Sequence, residues 1–283
     1  MTSAPLRVTR HDLPVIHPEG ERTLWCDITV PEVVSRGTFL IAHGFKGYKD
    51  YGMFPRLAWT AARHGWTAIR FNFAHSGMTR ADSTFERPDL FALDTWNRQV
   101  SDLDQLVAAV RAGGCPECPS DGPLVLFGHS RGGLASILAA GRGLAVDAVI
   151  SASAPMDPLR FTDEDLRRLR QEGACPVESS RTGQVLSVGR AFLDEVELDP
   201  AGHDPCEQAS RMAMPLVVVH GASDETVSCE DGLALAKASG VDPVLIEGGN
   251  HVFNVANPFH PEDEPSSQLA ALENVILDVL RTF

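Results

Sequence analysis

No apolar run in the 283-residue chain approaches the roughly 20 residues that a membrane-spanning helix needs. The opening, Met1-Thr2-Ser3-Ala4-Pro5-Leu6-Arg7, lacks the basic and then apolar stretches of a secretory signal. Positive charge is in short supply: 24 Lys and Arg stand against 38 Asp and Glu, a formal charge of −14. Phosphate backbones and anionic lipid repel so acidic a chain, which excludes nucleic acid and membrane surfaces as expected partners. Cysteine is sparse too. The six (Cys26, Cys115, Cys118, Cys175, Cys206 and Cys229) form no dense framework, and a cytoplasmic setting that keeps them as thiols is expected. Cys115-Pro116-Glu117-Cys118 has CxxC spacing, but no second pair or histidine set stands at the spacing zinc would need. It also trails a helical stretch, where a thioredoxin-like motif would open one. It reads as a surface loop with two free thiols, and no metal or cofactor is expected.

Internal repeats and low-complexity stretches are missing as well. What is present is ordinary globular material, 43% hydrophobic and 22% charged, enough for one large core. At roughly 150 residues per domain the length allows two, yet single α/β domains often run this long. Strand-like runs alternate with helical periodicity, the pattern of a mostly parallel sheet covered on both faces. Strands are expected over Thr23–Val30, Thr38–Ala42, Thr67–Phe73, Leu124–Phe127, Ala148–Ser151, Leu216–His220 and Val244–Ile246. Helices are expected over Phe54–His64, Asp94–Ala112, Gly132–Ala140, Glu230–Ala238 and Ser267–Leu280. Regularity fails between Pro155 and about Met214, apart from a charged helix over Asp163–Gln171 and a hairpin-like piece near Thr182–Val188. An insertion of this size in a regular α/β chain is usually functional, often a lid. The division is therefore a core of residues 1–154 and 211–283 with an insertion at 155–210, which serves either as a lid or as a homodimer contact.

The sharpest motif is Leu124-Val125-Leu126-Phe127-Gly128-His129-Ser130-Arg131-Gly132-Gly133. A buried strand runs into Gly-x-Ser-x-Gly and a helix follows at once. A serine in so tight a strand-to-helix turn needs small neighbours two residues away on each side, and Gly128 and Gly132 supply them. A serine hydroxyl is a weak nucleophile until a base takes its proton. His251, in Glu247-Gly248-Gly249-Asn250-His251 after the last strand, is the favoured base. His220 sits at a buried strand end, His203 and His260 in Pro-rich loops, and His129 is expected to point away. Asp224 follows the preceding strand at its carboxyl end, where ligand-facing groups of open α/β sheets gather. It is the favoured acid, with Glu225 and Asp157 as fallbacks. The amide of Arg131 and that of Phe45, in His43-Gly44-Phe45-Lys46-Gly47, are candidate oxyanion donors. His43 and Lys46 read as loop support and solvated charge. Ser76, Ser151 and Ser153 read as polar loop groups that line the pocket.

These motifs, in the order Ser130, Asp224, His251, resemble the α/β-hydrolase superfamily over nearly the whole chain. Within it the chain is similar to serine carboxylesterases of the cinnamoyl or feruloyl type, which carry a small lid after the sixth strand. The resemblance implies Ser130, His251 and Asp224 as triad, with the Phe45 and Arg131 amides as oxyanion hole. It departs at Asn72-Phe73-Ala74-His75-Ser76-Gly77, where many relatives carry an acid in a Gly-rich turn. The expected partner is a small-molecule ester. The same triad would also serve a thioester, a lactone, a short peptide or a C–C bond beside a carbonyl. A non-catalytic receptor on this fold is the competing class.

Overall fold

The computed structural model describes residues 6–81 and 83–283. Met1–Pro5, on which most of the reading of the amino terminus falls, lie outside the described residues. In chain order the strands are β1 (Arg7–His17), β2 (Gly20–Val30), β3 (Thr38–Ala42), β4 (Thr67–Asn72), β5 (Leu124–His129), β6 (Ala148–Ala152), β7 (Ala174–Glu178), β8 (Val185–Gly189), β9 (Leu216–Gly221) and β10 (Val244–Ile246). The helices are α1 (Phe54–Arg63), α2 (Pro88–Phe91), α3 (Trp96–Arg111), α4 (Arg131–Gly141), α5 (Asp163–Glu172), α6 (Ala191–Leu198), α7 (Pro205–Arg211), α8 (Cys229–Ser239) and α9 (Ser267–Arg281). Eight strands form one sheet in the order β1-β2-β4-β3-β5-β6-β9-β10. β1 pairs antiparallel with β2, and β2 with β4. Every pairing from β4 to β10 is parallel. β7 and β8 form a separate antiparallel pair in the segment between β6 and β9.

A parallel sheet is covered on both faces, so its strands must be apolar throughout. Every residue of β3, β4, β5 and β6 is buried. Alternation along β5 divides the core: Leu124 and Leu126 join the layer containing α3 and α4, while Val125 and Phe127 face α1 and α9. Helix starts follow local chemistry. The hydroxyls of Thr95, Ser228 and Ser266 accept amide hydrogens at the beginnings of α3, α8 and α9, and Thr162 with Asp165 forms a capping box on α5.

The structure departs from the sequence expectation in several places, among them the short α2, which had no counterpart. β1 had no counterpart, because only Leu13, Val15 and His17 of its residues are buried. A strand at a sheet edge with polar residues and a proline gives little apolar alternation. The hairpin lies earlier than Thr182–Val188, since that stretch holds the end of the turn and most of β8 while β7 precedes it. α6 and α7 occupy part of the stretch taken as irregular; they are 8 and 7 residues long, too short for a clear period. Cys115 is buried, not at the surface, and Cys118 is half-buried. Burial pushes these thiols up to about 11 and about 12, the second also through its neighbour Cys115. Both are unreactive as thiolates at neutral pH.

α4 meets β5 and β3 more closely than side chains allow. A Cβ on Gly132 would lie 2.5 Å from the His43 carbonyl oxygen and closer still to that of Ala42. Gly132→Ala is expected to destabilise the fold by about 1–3 kcal/mol through overpacking. A lowered urea midpoint with an unchanged m-value would register this.

Candidate active site

β5 ends one residue before Ser130, and α4 begins one residue after it. The turn forces Ser130 to φ 55° and ψ −122°, a region costing a side-chain-bearing residue about 1–3 kcal/mol. Its backbone is tied on both sides: the Ser130 amide donates to Ala152 O at 2.8 Å, and its carbonyl accepts from Gly133 and Leu134. Small residues permit the turn. A Cβ on Gly128 would sit 2.5 Å from Ser136 Oγ, and one on Gly44 would sit 3.1 Å from Ser130 Cβ. The loop after β3 therefore passes directly against the serine.

On the neighbouring strand ends, His251 Nδ1 lies 2.8 Å from Asp224 Oδ2. The Asp224 side chain has no solvent exposure, while that of His251 keeps 18%. A carboxylate only accepts hydrogen bonds, so Nδ1 of His251 carries the proton and Nε2 is left free as a base. Asp224 is unusually well supplied with donors. Its Oδ1 accepts from the amides of Thr226 (2.8 Å) and Val227 (2.9 Å). His220 Nε2 lies 3.3 Å from its Oδ2 and 3.0 Å from the Val227 carbonyl. That carbonyl can only accept, so Nε2 of His220 is the protonated nitrogen. Burial alone would push the Asp224 carboxyl up, but the hydrogen bonds from His220, His251 and Val227 outweigh it and hold the group well below the usual carboxylate range.

Two further histidines secure the loops. His129 Nε2 donates to the backbone carbonyl of His251 at 2.7 Å, so the residue before Ser130 fixes the residue expected to act as its base. Its ring packs on that of His251 at 4.9 Å. Burial, with His251 close by, pushes His129 down to about 3. His43 donates from Nδ1 to Gly44 O (2.9 Å) and accepts at Nε2 from the Phe73 amide (3.3 Å), and burial pushes it down to about 4. Sequence reasoning missed His129 and His220 as partners of the site. For His220 a signal existed in the spacing His220-Gly221-Ala222-Ser223-Asp224 at a strand end.

The structure brings Ser130 and His251 together around two adjoining cavities of about 180 and about 510 Å³, both also lined by Phe45, Lys46, Tyr51 and Ser180. Arg131 lines the larger one. Its amide is the first of α4, which no intrahelical carbonyl can satisfy. Glu225 is exposed, and the Asp157 carboxylate accepts from the Leu159 amide. Ser76, Ser151 and Ser153, expected along the pocket, line neither cavity; all three are buried. Among the described residues one group offers metal-ligand geometry, His17, His75 and Asp102. His17 Nε2 bonds Asp102 Oδ1 at 2.7 Å, His75 pairs with Glu19, and Glu19 pairs with Arg98. None of the three ligand candidates lines a cavity at Ser130.

A mostly parallel sheet, a Gly-x-Ser-x-Gly turn after β5, and an acid and a histidine after the last two strands define an α/β-hydrolase architecture. The chain belongs to the alpha/beta hydrolase family, whose model matches residues 39–271. No curated protein matches its sequence. Among solved structures it is similar to Est1E from Butyrivibrio proteoclasticus at 16% identity and a TM-score of 0.67, covering 96% of this chain and 98% of that one. It is also similar to the esterase domain of a Rhodothermus marinus protein, at 20% identity and a TM-score of 0.64, with 98% and 99% covered. A hydrolase from Agrobacterium vitis S4, described as putative in its own right, gives 16% identity and a TM-score of 0.72 over 96% and 98%. At these identities the likeness is one of fold. Among the described residues no helix is long and apolar enough to cross a membrane.

The buried histidines set a pH dependence of stability. His43, His75 and His129 are pushed down to about 4, about 4 and about 3, chiefly by burial. Unfolded, each takes up a proton near pH 6.5, so the stability they contribute is complete above that pH and is lost as pH falls toward the folded values. Asp94, which burial pushes up to about 6, acts in the opposite sense below that pH, as do Asp102, Asp104 and Glu195, raised by the same cause. The three histidines, pushed down to about 4 or lower, act over the whole interval, with His11 lowered in the same sense, so Tm is expected to fall as pH is lowered from 7 to 4.5. A calorimetric series across that range measures it, and Asp94→Asn should steepen the fall.

Proposed function

We propose that this chain is a serine hydrolase of carboxylic esters working through an acyl-enzyme. The observation that carries this reading is the 2.8 Å contact of His251 with a fully buried, four-donor Asp224, beside a strained Ser130 that shares both cavities with His251. Family membership supports a hydrolase, and Est1E, one of the fold neighbours, has been crystallised with ferulic acid bound.

In this mechanism Ser130 Oγ attacks the ester carbonyl while His251 Nε2 takes its proton. The bond from His251 Nδ1 to Asp224 stabilises the imidazolium that results. The Phe45 and Arg131 amides receive the oxyanion, with Gly44 lying close enough to Ser130 to bring the first of them into place. His251 returns its proton to the departing alcohol, and water then repeats the sequence to release the acid. The segment at 155–210 acts as a lid: Pro155, Pro158, Phe161 and Phe192 from it line the larger cavity beside Ser130.

Hydrolysis of p-nitrophenyl esters from acetate to dodecanoate, together with methyl ferulate, tests the reading. Wild type should turn over part of the series and Ser130→Ala none of it. Retained turnover in that variant would remove Ser130 from the chemistry. Asp224→Asn should cost about 10⁴-fold in kcat, because an amide holds the ring in the wrong tautomer. Asp224 stays ionised through any practical assay range. The acid side of the kcat/KM profile should therefore carry no limb from Asp224. A two-proton limb would place a second titrating group in the mechanism.

A further inference from the structure

The charge lining the two cavities runs against the charge of the chain. Overall, acids exceed bases by 38 to 24. Around Ser130 the charged lining is Lys46, Arg131, Arg160 and Arg181 against Asp157 alone. These cations are not all equivalent. The Arg131 guanidinium is buried, stacked 4.7 Å from the ring centres of both Trp96 and Phe192, and answered by Asp94 at 3.1 Å. Its charge is compensated from behind the cavity wall. Lys46 and Arg160 are held differently. The Lys46 ammonium donates to the Glu178 backbone carbonyl at 2.7 Å, and Arg160 Nη2 donates to the Thr226 carbonyl at 2.5 Å. Among the described residues neither has an ion-pair partner. A carbonyl dipole orients a cation without cancelling its charge, so both groups keep donors and net charge for the cavity.

The placement of Lys46 is itself constrained. It sits at φ 55°, an uncommon region for a residue with a side chain, one position after the Phe45 amide. The larger cavity that both cations line has an aromatic wall of Phe45, Trp96, Phe161 and Phe192. Concave sites with low-dielectric walls focus the field of a few charges and raise the local concentration of ligands of opposite sign. From Lys46 and Arg160, two cations fixed by backbone carbonyls on an aromatic-walled cavity beside Ser130, we infer that the substrate is an ester carrying a free carboxylate next to an apolar body. This deepens the esterase reading above and rests on it.

Matched pairs of esters provide the test. On the acyl side the mono-p-nitrophenyl ester of adipic acid is compared with p-nitrophenyl hexanoate; on the alcohol side 4-carboxyphenyl acetate is compared with 4-carbamoylphenyl acetate. Wild type should favour the carboxylate member of at least one pair by about ten-fold or more in kcat/KM, the scale of a charged hydrogen bond. Lys46→Met and Arg160→Gln should each reduce that ratio several-fold, and 0.5 M NaCl should reduce it in wild type through screening. The ratio is the readout because Lys46→Met also frees Glu178, which would change both members of a pair together. Neutral esters turned over with no carboxylate preference, or a preference that neither substitution moves, overturns the inference and leaves the esterase intact. If no ester of either charge is turned over, the esterase reading falls, and calorimetry with 4-phenylbutyrate and 4-phenylbutyramide decides the anion site. Carboxylate binding that Lys46→Met weakens supports it; equal or absent binding of the two overturns it.

Discussion

A buried carboxylate without compensation is among the least tolerable groups in a protein interior. Asp224 is tolerated because four donors converge on its two oxygens, and those donors come from three places in the chain. The amides of Thr226 and Val227 belong to the turn that follows β9. His220 is the last but one residue of β9 itself, and His251 belongs to the loop after β10. One charge thus fixes the turn, the strand end and the loop relative to each other. Each histidine contributes a single tautomer, dictated by an acceptor that cannot donate.

Backbone proximity does the corresponding work on the serine side. Gly132 lets α4 reach the carbonyls of Ala42 and His43, and Gly44 lets the loop after β3 reach Ser130. The strain at Ser130 is held by bonds from its amide and carbonyl to Ala152, Gly133 and Leu134, so sheet and helix together maintain a conformation that the residue alone would abandon.

The central strands and the helices of the core were legible because a doubly covered parallel sheet demands unbroken apolar runs, and because the elbow demands glycines at fixed offsets. Phe54–His64 and Ser267–Leu280, read from periodicity, differ from α1 and α9 by one residue at one end. β1 was hidden because its polar residues face solvent along most of its length. α6 and α7 were hidden by their brevity. Among the site residues, Asp224 and His251 could be read from their positions after strands, and the structure places them in contact. His129 was set aside as pointing away, yet it lines the smaller cavity with Ser130 and packs against His251. Spacing in the sequence could not show that it turns toward a carbonyl 122 residues along the chain.

That bond from His129 to the His251 carbonyl has a mechanical consequence. Ser130 and its neighbour His129 share one stretch of backbone, so the loop after β10 is anchored to the same rigid segment that presents the serine. A displacement of the elbow carries the imidazole with it, and a displacement of the loop pulls on the elbow. One hydrogen bond thus ties the loop at the sheet edge, where β10 lies, to the strand end that carries the serine.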